Sequence, residues 1–122
     1  MSRDHHKLRV FQLADELLID IYRGTQGFPG EERYGLQAQM RRAAVSVATN
    51  IVEGCARRSS RDYMHFLNIA LSSASEVRYL VGLSKRLGFI PAAEHQDLEP
   101  RYDELVRGLQ KLIDVLHDKA EA

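Results

Sequence analysis

A strip of polar side chains recurs at helical spacing in the middle of the chain and is one candidate functional cluster. Residues three and four apart on a helix lie side by side, so such a strip is continuous. Its members are Arg42, Ser46, Thr49, Asn50 and Glu53. Glu76, in the next predicted helix, is expected to reach Arg41 or Arg42. A buried network of this kind would fix helix register or subunit pairing, so we interpret the strip with Glu76 as a structural or assembly network. Direct contact with a ligand or nucleic acid is the alternative.

A second cluster of side chains is basic. Residues 41–86 hold eight Lys and Arg against three Asp and Glu, although the whole chain has no net charge. Arg57, Arg58 and Arg61 are grouped around a predicted turn, and Arg41 precedes them in the same predicted helix. Guanidinium groups match the geometry of phosphate oxygens. These four arginines are therefore the candidate nucleic-acid-binding residues.

The basic cluster also has a structural interpretation. Arginines at a helix C-terminus neutralise its last carbonyl groups, and here they could pair with Asp62. The aromatic residues close to the cluster are Tyr63 and Phe66, which is too few to predict base stacking. Lys85 and Arg86 lie further along the next predicted helix.

The side chains that catalysis or metal binding would need are not arranged for it. Di-iron bundles use Glu-x-x-His on two helices, whereas Glu94 and His95 are adjacent and no Glu-x-x-His occurs. The glycines before Leu36 are typical of a turn rather than of a phosphate-binding loop. We therefore expect a protein that is not an enzyme and that uses no metal, cofactor or small-molecule substrate.

Composition sets the class of protein. With 122 residues, of which 44% are hydrophobic and 28% charged, the chain is predicted to fold as a single domain over residues 1–122. The only cysteine, Cys55, permits no internal disulfide and fits a reducing compartment. The polar N-terminus and short apolar runs predict neither a leader nor a membrane span, so we expect a cytoplasmic protein.

Apolar periodicity predicts four helices. They cover about residues 6–26, a second helix within 33–62, then 60–87 and 91–117. In the third, Tyr63, Ala70, Val77 and Ser84 keep a seven-residue repeat of the coiled-coil type. Pro100 removes an N–H inside the fourth, which predicts a kink or break. The predicted fold is all-α, an antiparallel up-down-up-down four-helix bundle.

The second helix carries an unusually wide apolar surface. At 100° per residue, one seam contains Leu36, Met40, Ala43, Val47 and Ile51, and further alanines and valines form a second seam. The resulting arc is about twice what a surface helix of a monomer needs. A lone bundle is therefore not expected to cover it, which predicts contact with neighbouring subunits.

Several residues together resemble a known family. The matching positions are Lys7, Leu8, Phe11, Gln12, Ala14, Ile21, Tyr22, Phe28, Pro29, Glu32, Arg33, Tyr34, Gly35, Leu36, Gln39, Arg41, Arg42, Ala43, Ala44, Ser46, Asn50, Ile51, Glu53, Gly54, Arg58, Phe66, Leu67, Ala70 and Ser73. The pattern resembles the four-helix-bundle proteins named after open reading frames in 23S rRNA intervening sequences. Val52 stands where that family usually has alanine.

The resemblance carries its own expectations. It implies a bundle that assembles into rings, most often homopentamers. It also implies a relationship to the accessory variability protein of diversity-generating retroelements, a pentamer that binds nucleic acid through a basic surface. The biochemical role of the family is poorly defined, so the resemblance supplies no activity.

Two hypotheses about function follow from the sequence. In the first, the chain is a non-catalytic homo-oligomer that binds RNA or DNA by charge through its arginines. In the second, it is a protein–protein assembly scaffold with no nucleic-acid binding, which uses an apolar helix surface. An exposed apolar patch on the assembled protein would favour the second.

Overall fold

Every regular element that the structure describes is helical. The computed structural model describes residues 3–91 and 98–121. The four helices are α1 (Arg9–Gly24), α2 (Leu36–Cys55), α3 (Ser60–Arg86) and α4 (Leu98–Glu121), and single 3-10 turns at His5–Lys7 and Gly30–Glu32 precede α1 and α2. The predicted all-α fold of four helices is confirmed.

The boundaries of α2 differ from the long helix predicted within residues 33–62. α2 ends at Cys55, and Ser59 starts α3 by accepting a hydrogen bond on its hydroxyl from the Asp62 backbone N–H at 3.1 Å. Such a cap satisfies one of the backbone donors that a helix N-terminus leaves without a partner. The two helices are therefore joined by a turn of four residues, 56–59.

The last helix ends later than the sequence predicts. α4 is described over Leu98–Glu121 and so continues beyond the predicted end at residue 117. Pro100 is its third residue, in the first turn, where the backbone N–H has no acceptor within the helix. The early part of the predicted helix falls on residues 92–97, outside the described residues, and the kink near Pro100 stays a prediction.

The apolar seams of the helices meet in one core. All four members of the predicted heptad series in α3 are buried, namely Tyr63, Ala70, Val77 and Ser84. From α4, Leu98, Tyr102, Leu105 and Leu109 are buried against them. The Ser84 hydroxyl donates to the Leu80 carbonyl at 2.8 Å, so the polar atom in this seam is satisfied.

The wide apolar surface of α2 is covered within a single chain. The first predicted seam and the alanines of the second, Ala44 and Ala48, are buried, whereas Val45 and Val52 of the second seam, and Ala38, are partly exposed. No α2 residue is among the large hydrophobic side chains that are exposed in the described part of the chain. The expectation that a lone bundle cannot cover this helix was therefore wrong. Because many of its residues are alanines, α1 and α3 each approach closely and cover one seam.

Contacts between neighbouring helices bring three segments of the chain to one end of the bundle. Ser46 contacts Ser73 in the middle of α2 and α3, and Gly54 lies against Phe66 near the turn that joins them. The N-terminal segment reaches the same end, where the Arg3 backbone N–H donates to the Cys55 carbonyl at 2.8 Å.

Candidate nucleic-acid interface

The turn between α2 and α3 presents Arg57, Arg58 and Arg61, which we call the arginine turn. All three side chains are exposed. The Arg57 guanidinium carbon lies 4.6 Å from the centre of the Phe66 ring, a cation–π contact that holds the side chain without neutralising it. The structure therefore brings together three of the four candidate phosphate-binding residues.

The arginine turn has no acidic partner in the described part of the chain. The pairing with Asp62 considered for the structural interpretation is absent among the described ion pairs, and Arg58 and Arg61 form no described hydrogen bond. Unpaired guanidinium groups keep their full positive charge and their donors available. Three such groups within five residues are suited to bind phosphate oxygens.

Arg3 joins this end of the bundle, and sequence reasoning missed it. Its guanidinium Nη1 donates to the Arg57 carbonyl at 3.3 Å, and its guanidinium carbon lies 4.0 Å from the centre of the Tyr63 ring. The first contact joins residues 54 positions apart and the second joins residues 60 positions apart, so no local pattern in the sequence marks them. A fourth arginine thus lies next to the three that the sequence singled out.

Two buried groups lie beneath Arg3. Tyr63 is 2% exposed and Cys55 is 1% exposed. Burial, followed by the neighbouring Cys55, raises the pKa of Tyr63 to about 12. Burial likewise raises the pKa of the Cys55 thiol, although a hydrogen bond with Tyr63 opposes the shift. A buried thiol with a raised pKa is a poor nucleophile, so Cys55 serves packing.

Arg41, the fourth candidate, lies elsewhere. Its Nε donates to the Thr25 hydroxyl at 2.9 Å, its Nη2 donates to the Tyr22 carbonyl at 3.1 Å, and it stacks 4.6 Å from the Tyr22 ring centre. It lies 14 residues before Cys55, the last residue of α2, a separation of about 21 Å along the helix. Arg41 therefore ties α2 to the end of α1 and is not part of the arginine turn.

The polar strip of α2 is divided between the flank that faces α3 and the exposed face. Ser46 and Ser73 share a hydrogen bond of 2.8 Å between α2 and α3, and Asn50 donates to the Ser46 hydroxyl at 3.0 Å. Arg42 and Glu53 are exposed and form no described hydrogen bond or ion pair. Only part of the predicted network is therefore connected.

Glu76 contacts a residue that the sequence analysis did not select. Its Oε2 accepts a hydrogen bond from Gln39 Nε2 at 3.1 Å, so the expected contact with Arg41 or Arg42 was wrong. Each residue turns a helix by about 100°, so Gln39 and Arg41 are about 200° apart on α2. Gln39 is on the flank that faces α3, and Arg41 is on the flank that faces α1.

Two Asp-x-x-His sequences also fall near the helix ends, at Asp62–His65 and Asp114–His117. All four side chains are exposed. Within residues 3–91 and 98–121, no group of three His, Cys, Asp or Glu is placed to hold a metal ion.

In the same ranges, no helix has the length and apolar character that crossing a bilayer requires.

Comparison with known proteins places the chain among related sequences. The 23S rRNA-intervening sequence protein family matches residues 6–111, most of the chain. The chain belongs to this family. The match confirms the resemblance found in the sequence, and it includes α1, α2, α3 and the arginine turn.

A solved structure of similar fold comes from Bacteroides thetaiotaomicron VPI-5482. It is described as a protein with unknown function from the S23 ribosomal protein family. The two chains are 24% identical, with a TM-score of 0.77 over 86% of this chain and 95% of the other. At 24% identity, the similarity shows that the two chains share a fold and shows nothing about function. No curated protein matches the chain.

Proposed function

We propose that this chain is a non-catalytic, homo-oligomeric, cytoplasmic module that binds RNA or DNA phosphates through Arg57, Arg58 and Arg61. The observation that carries the proposal is that these three exposed side chains have no carboxylate partner in the described part of the chain. The surface arginines of α4 differ, since Arg101 pairs with Glu16 and Asp20.

The charges of one small turn bind nucleic acid weakly in a single copy and more strongly when an oligomer presents several copies. Linked binding sites act on the same nucleic acid at high effective concentration, so copies of the arginine turn in a ring reinforce one another. A homopentamer, which the family resemblance implies, would present fifteen turn arginines, three from each of five chains. A chain with no net charge can in this way hold a polyanion.

Binding by charge has a direct test. Fluorescence anisotropy with labelled RNA and DNA is expected to detect binding at low salt that weakens steeply as salt rises, because bound phosphates release counterions. Changing Arg57, Arg58 and Arg61 together to Ala is expected to remove most of the binding. Absence of binding to both nucleic acids at low salt would overturn the proposal.

Self-association has a separate test. Light scattering on the purified protein is expected to give a mass of about 70 kDa for a pentamer of the 13.9 kDa chain. A monomer at micromolar concentration would contradict the ring, and would leave the arginine turn to act in a single copy.

A second candidate function is a protein–protein assembly scaffold. An apolar groove of about 310 Å³ lies between the start of α1 and the second half of α4. Its lining includes Val10, Leu112 and Val115, and the Val115 side chain is 43% exposed. Changing Val115 to Glu is expected to disrupt such an assembly. Nucleic-acid binding by the arginine turn does not require Val115.

A further inference from the structure

The outward face of α3 continues from the arginine turn along the length of the bundle. Arg61, Asn68 and Ser75 repeat every seven residues, and Ser72, Tyr79 and Arg86 do the same with an offset that places the two rows side by side. We call this surface the α3 stripe. Five of these six side chains are exposed and Ser75 is half-buried. From Arg61 to Arg86 the stripe is about 38 Å long.

The α3 stripe contains no acidic residue. The two carboxylates of α3 are Asp62 in the first turn and Glu76, which points to α2 and accepts a hydrogen bond from Gln39. The stripe is therefore polar and has an arginine at each end, and the carboxylates nearest to it flank it: Glu76 on α3, and Glu99 and Asp103 on α4. It is a path on which a strand bound at the arginine turn can continue.

Tyr79 is the exposed aromatic residue on this path. Its side chain is 61% exposed. Ser75 and Gly82, one helical turn before and after it, are small, and the Glu99 carboxylate lies over Gly82. Base–aromatic stacking needs an accessible ring face and accepts any base. Tyr63 and Phe66, the aromatics considered in the sequence analysis, are buried and half-buried, and do not offer such a face.

Basic side chains surround Tyr79 in a surface groove of about 600 Å³ between α3 and α4. Arg78 donates to Asp103 at 2.9 Å, and Lys85 lies 3.4 Å from Glu99, so both cations are held in position. Arg86 lines the same groove and has no ion-pair partner in the described part of the chain. Arg107 also pairs with Asp103, at 3.1 Å. Three cations, Arg78, Lys85 and Arg86, therefore line the groove with the Glu99 carboxylate, while Asp103 pairs with Arg78 and the exposed Glu76 lies one turn before Tyr79.

We propose that the α3 stripe is the path of a single nucleic-acid strand, with Tyr79 stacking on one base and Arg86 binding a phosphate next to it. This inference rests on the proposed function and adds to it the form of the ligand. A duplex keeps its bases stacked within the helix and cannot offer one to Tyr79, so single strands are bound more tightly than duplexes of the same sequence.

The test measures the affinity of wild type, Tyr79→Ala and Tyr79→Phe for a short, unstructured, labelled oligonucleotide. Tyr79→Ala is expected to weaken binding about 5- to 150-fold, the usual range for loss of one stacked base. Tyr79→Phe keeps the ring and is expected to bind as wild type does. Tyr34→Ala is the matched control, because Tyr34 is 86% exposed and also lies next to an arginine, but is outside the stripe.

Each outcome separates this inference from the proposed function. If the arginine-turn variant loses binding while Tyr79→Ala keeps it, the strand path is wrong and the proposed function stands. If wild type binds no nucleic acid, the proposed function itself fails. Equal loss of affinity in Tyr79→Ala and Tyr79→Phe would also overturn the strand path. So would binding of the single nucleotide AMP as tightly as the oligonucleotide, because a path along α3 contacts more than one nucleotide.

Discussion

The hydroxyl oxygens of Ser46 and Ser73 lie 2.8 Å apart, so α2 and α3 share a side-chain hydrogen bond between the middles of the two helices. Asn50 donates to the Ser46 hydroxyl at 3.0 Å and to the Ser46 carbonyl at 2.8 Å. These three residues are the part of the α2 polar strip that connects the two helices. Their role is to hold α2 and α3 in register, which also fixes the turn between them.

Changing Ser73 to Ala is expected to lower the free energy of unfolding by about 1 kcal/mol, because the half-buried Ser46 hydroxyl loses a partner. Ser72→Ala is the matched control, since Ser72 is exposed on the same helix, and is expected to change stability by less than about 0.5 kcal/mol. Urea denaturation measures both. Equal effects of the two substitutions would contradict a role for the Ser46–Ser73 hydrogen bond.

Two helical glycines provide opposite predictions. A Cβ at Gly54 would lie 3.1 Å from the Phe66 Cβ and 3.4 Å from the Tyr63 carbonyl oxygen, atoms that cannot move without shifting α3. A Cβ at Gly82 would lie 2.8 Å from Glu99 Oε2, the end of a flexible side chain that can rotate away. The same substitution is therefore costly at one position and inexpensive at the other.

Gly54→Ala is expected to destabilise the protein by about 1–3 kcal/mol through overpacking. Gly82→Ala is expected to be neutral or to stabilise it by up to about 1 kcal/mol, because alanine favours the helix more than glycine does. Thermal and urea unfolding of the two variants measure the difference. A Gly54→Ala protein as stable as Gly82→Ala would show that α2 and α3 are not in such close contact near the turn.

Tyr63 predicts a loss of stability at alkaline pH. Its pKa in the folded protein is about 12, against an ordinary value of 10.0, because burial disfavours the phenolate. The folded state therefore holds this proton more tightly than the unfolded state. The resulting stability is fully present below about pH 10 and is lost as pH rises towards 12.

Tyr63→Phe keeps the ring but removes the ionising group, so its free energy of unfolding is expected to fall less than that of wild type between about pH 9 and 11. Tyr34→Phe is the control, because the Tyr34 ring is exposed. Urea denaturation at the two pH values measures the effect. The same pH dependence in wild type and Tyr63→Phe would argue against a buried, protonated Tyr63.

The parts of the fold that depend on local spacing were predictable from the sequence. The seven-residue repeat of α3 identified buried residues from Tyr63 to Ser84. The width of the apolar surface of α2 was also correct. The expectation that a lone bundle cannot cover this surface failed, because periodicity gives the extent of an apolar surface and not the number of neighbours that cover it. Contact with neighbouring subunits stays a prediction.

The candidate site was only partly predictable. The arginine turn was found because its residues are close in sequence. The contact between Arg3 and the Arg57 carbonyl depends instead on how the N-terminal segment packs against the turn between α2 and α3. Glu76 was assigned to the wrong partner because a shift of two residues on α2 moves a side chain to the opposite flank. The seven-residue spacing of Tyr79 and Arg86 is visible in the sequence, but the exposure of the Tyr79 ring on the outward face of α3 is not.

The measurement that tests the account most directly compares the salt dependence of RNA binding for two triple variants with the same change in charge. One replaces Arg57, Arg58 and Arg61 with Ala, and the other replaces three exposed arginines outside the turn. These are Arg23, Arg33 and Arg42. Binding is measured by fluorescence anisotropy at several salt concentrations from about 50 to 200 mM.

The arginine-turn variant is expected to bind weakly and with a shallower salt dependence, because each lost phosphate contact lowers the slope of log affinity against log salt by about 0.7 for single strands and 0.9 for duplexes. The control variant is expected to keep both its affinity and its slope close to those of wild type. Equal losses in the two variants, or an arginine-turn variant that binds as wild type does, would contradict the assignment of phosphate binding to the arginine turn.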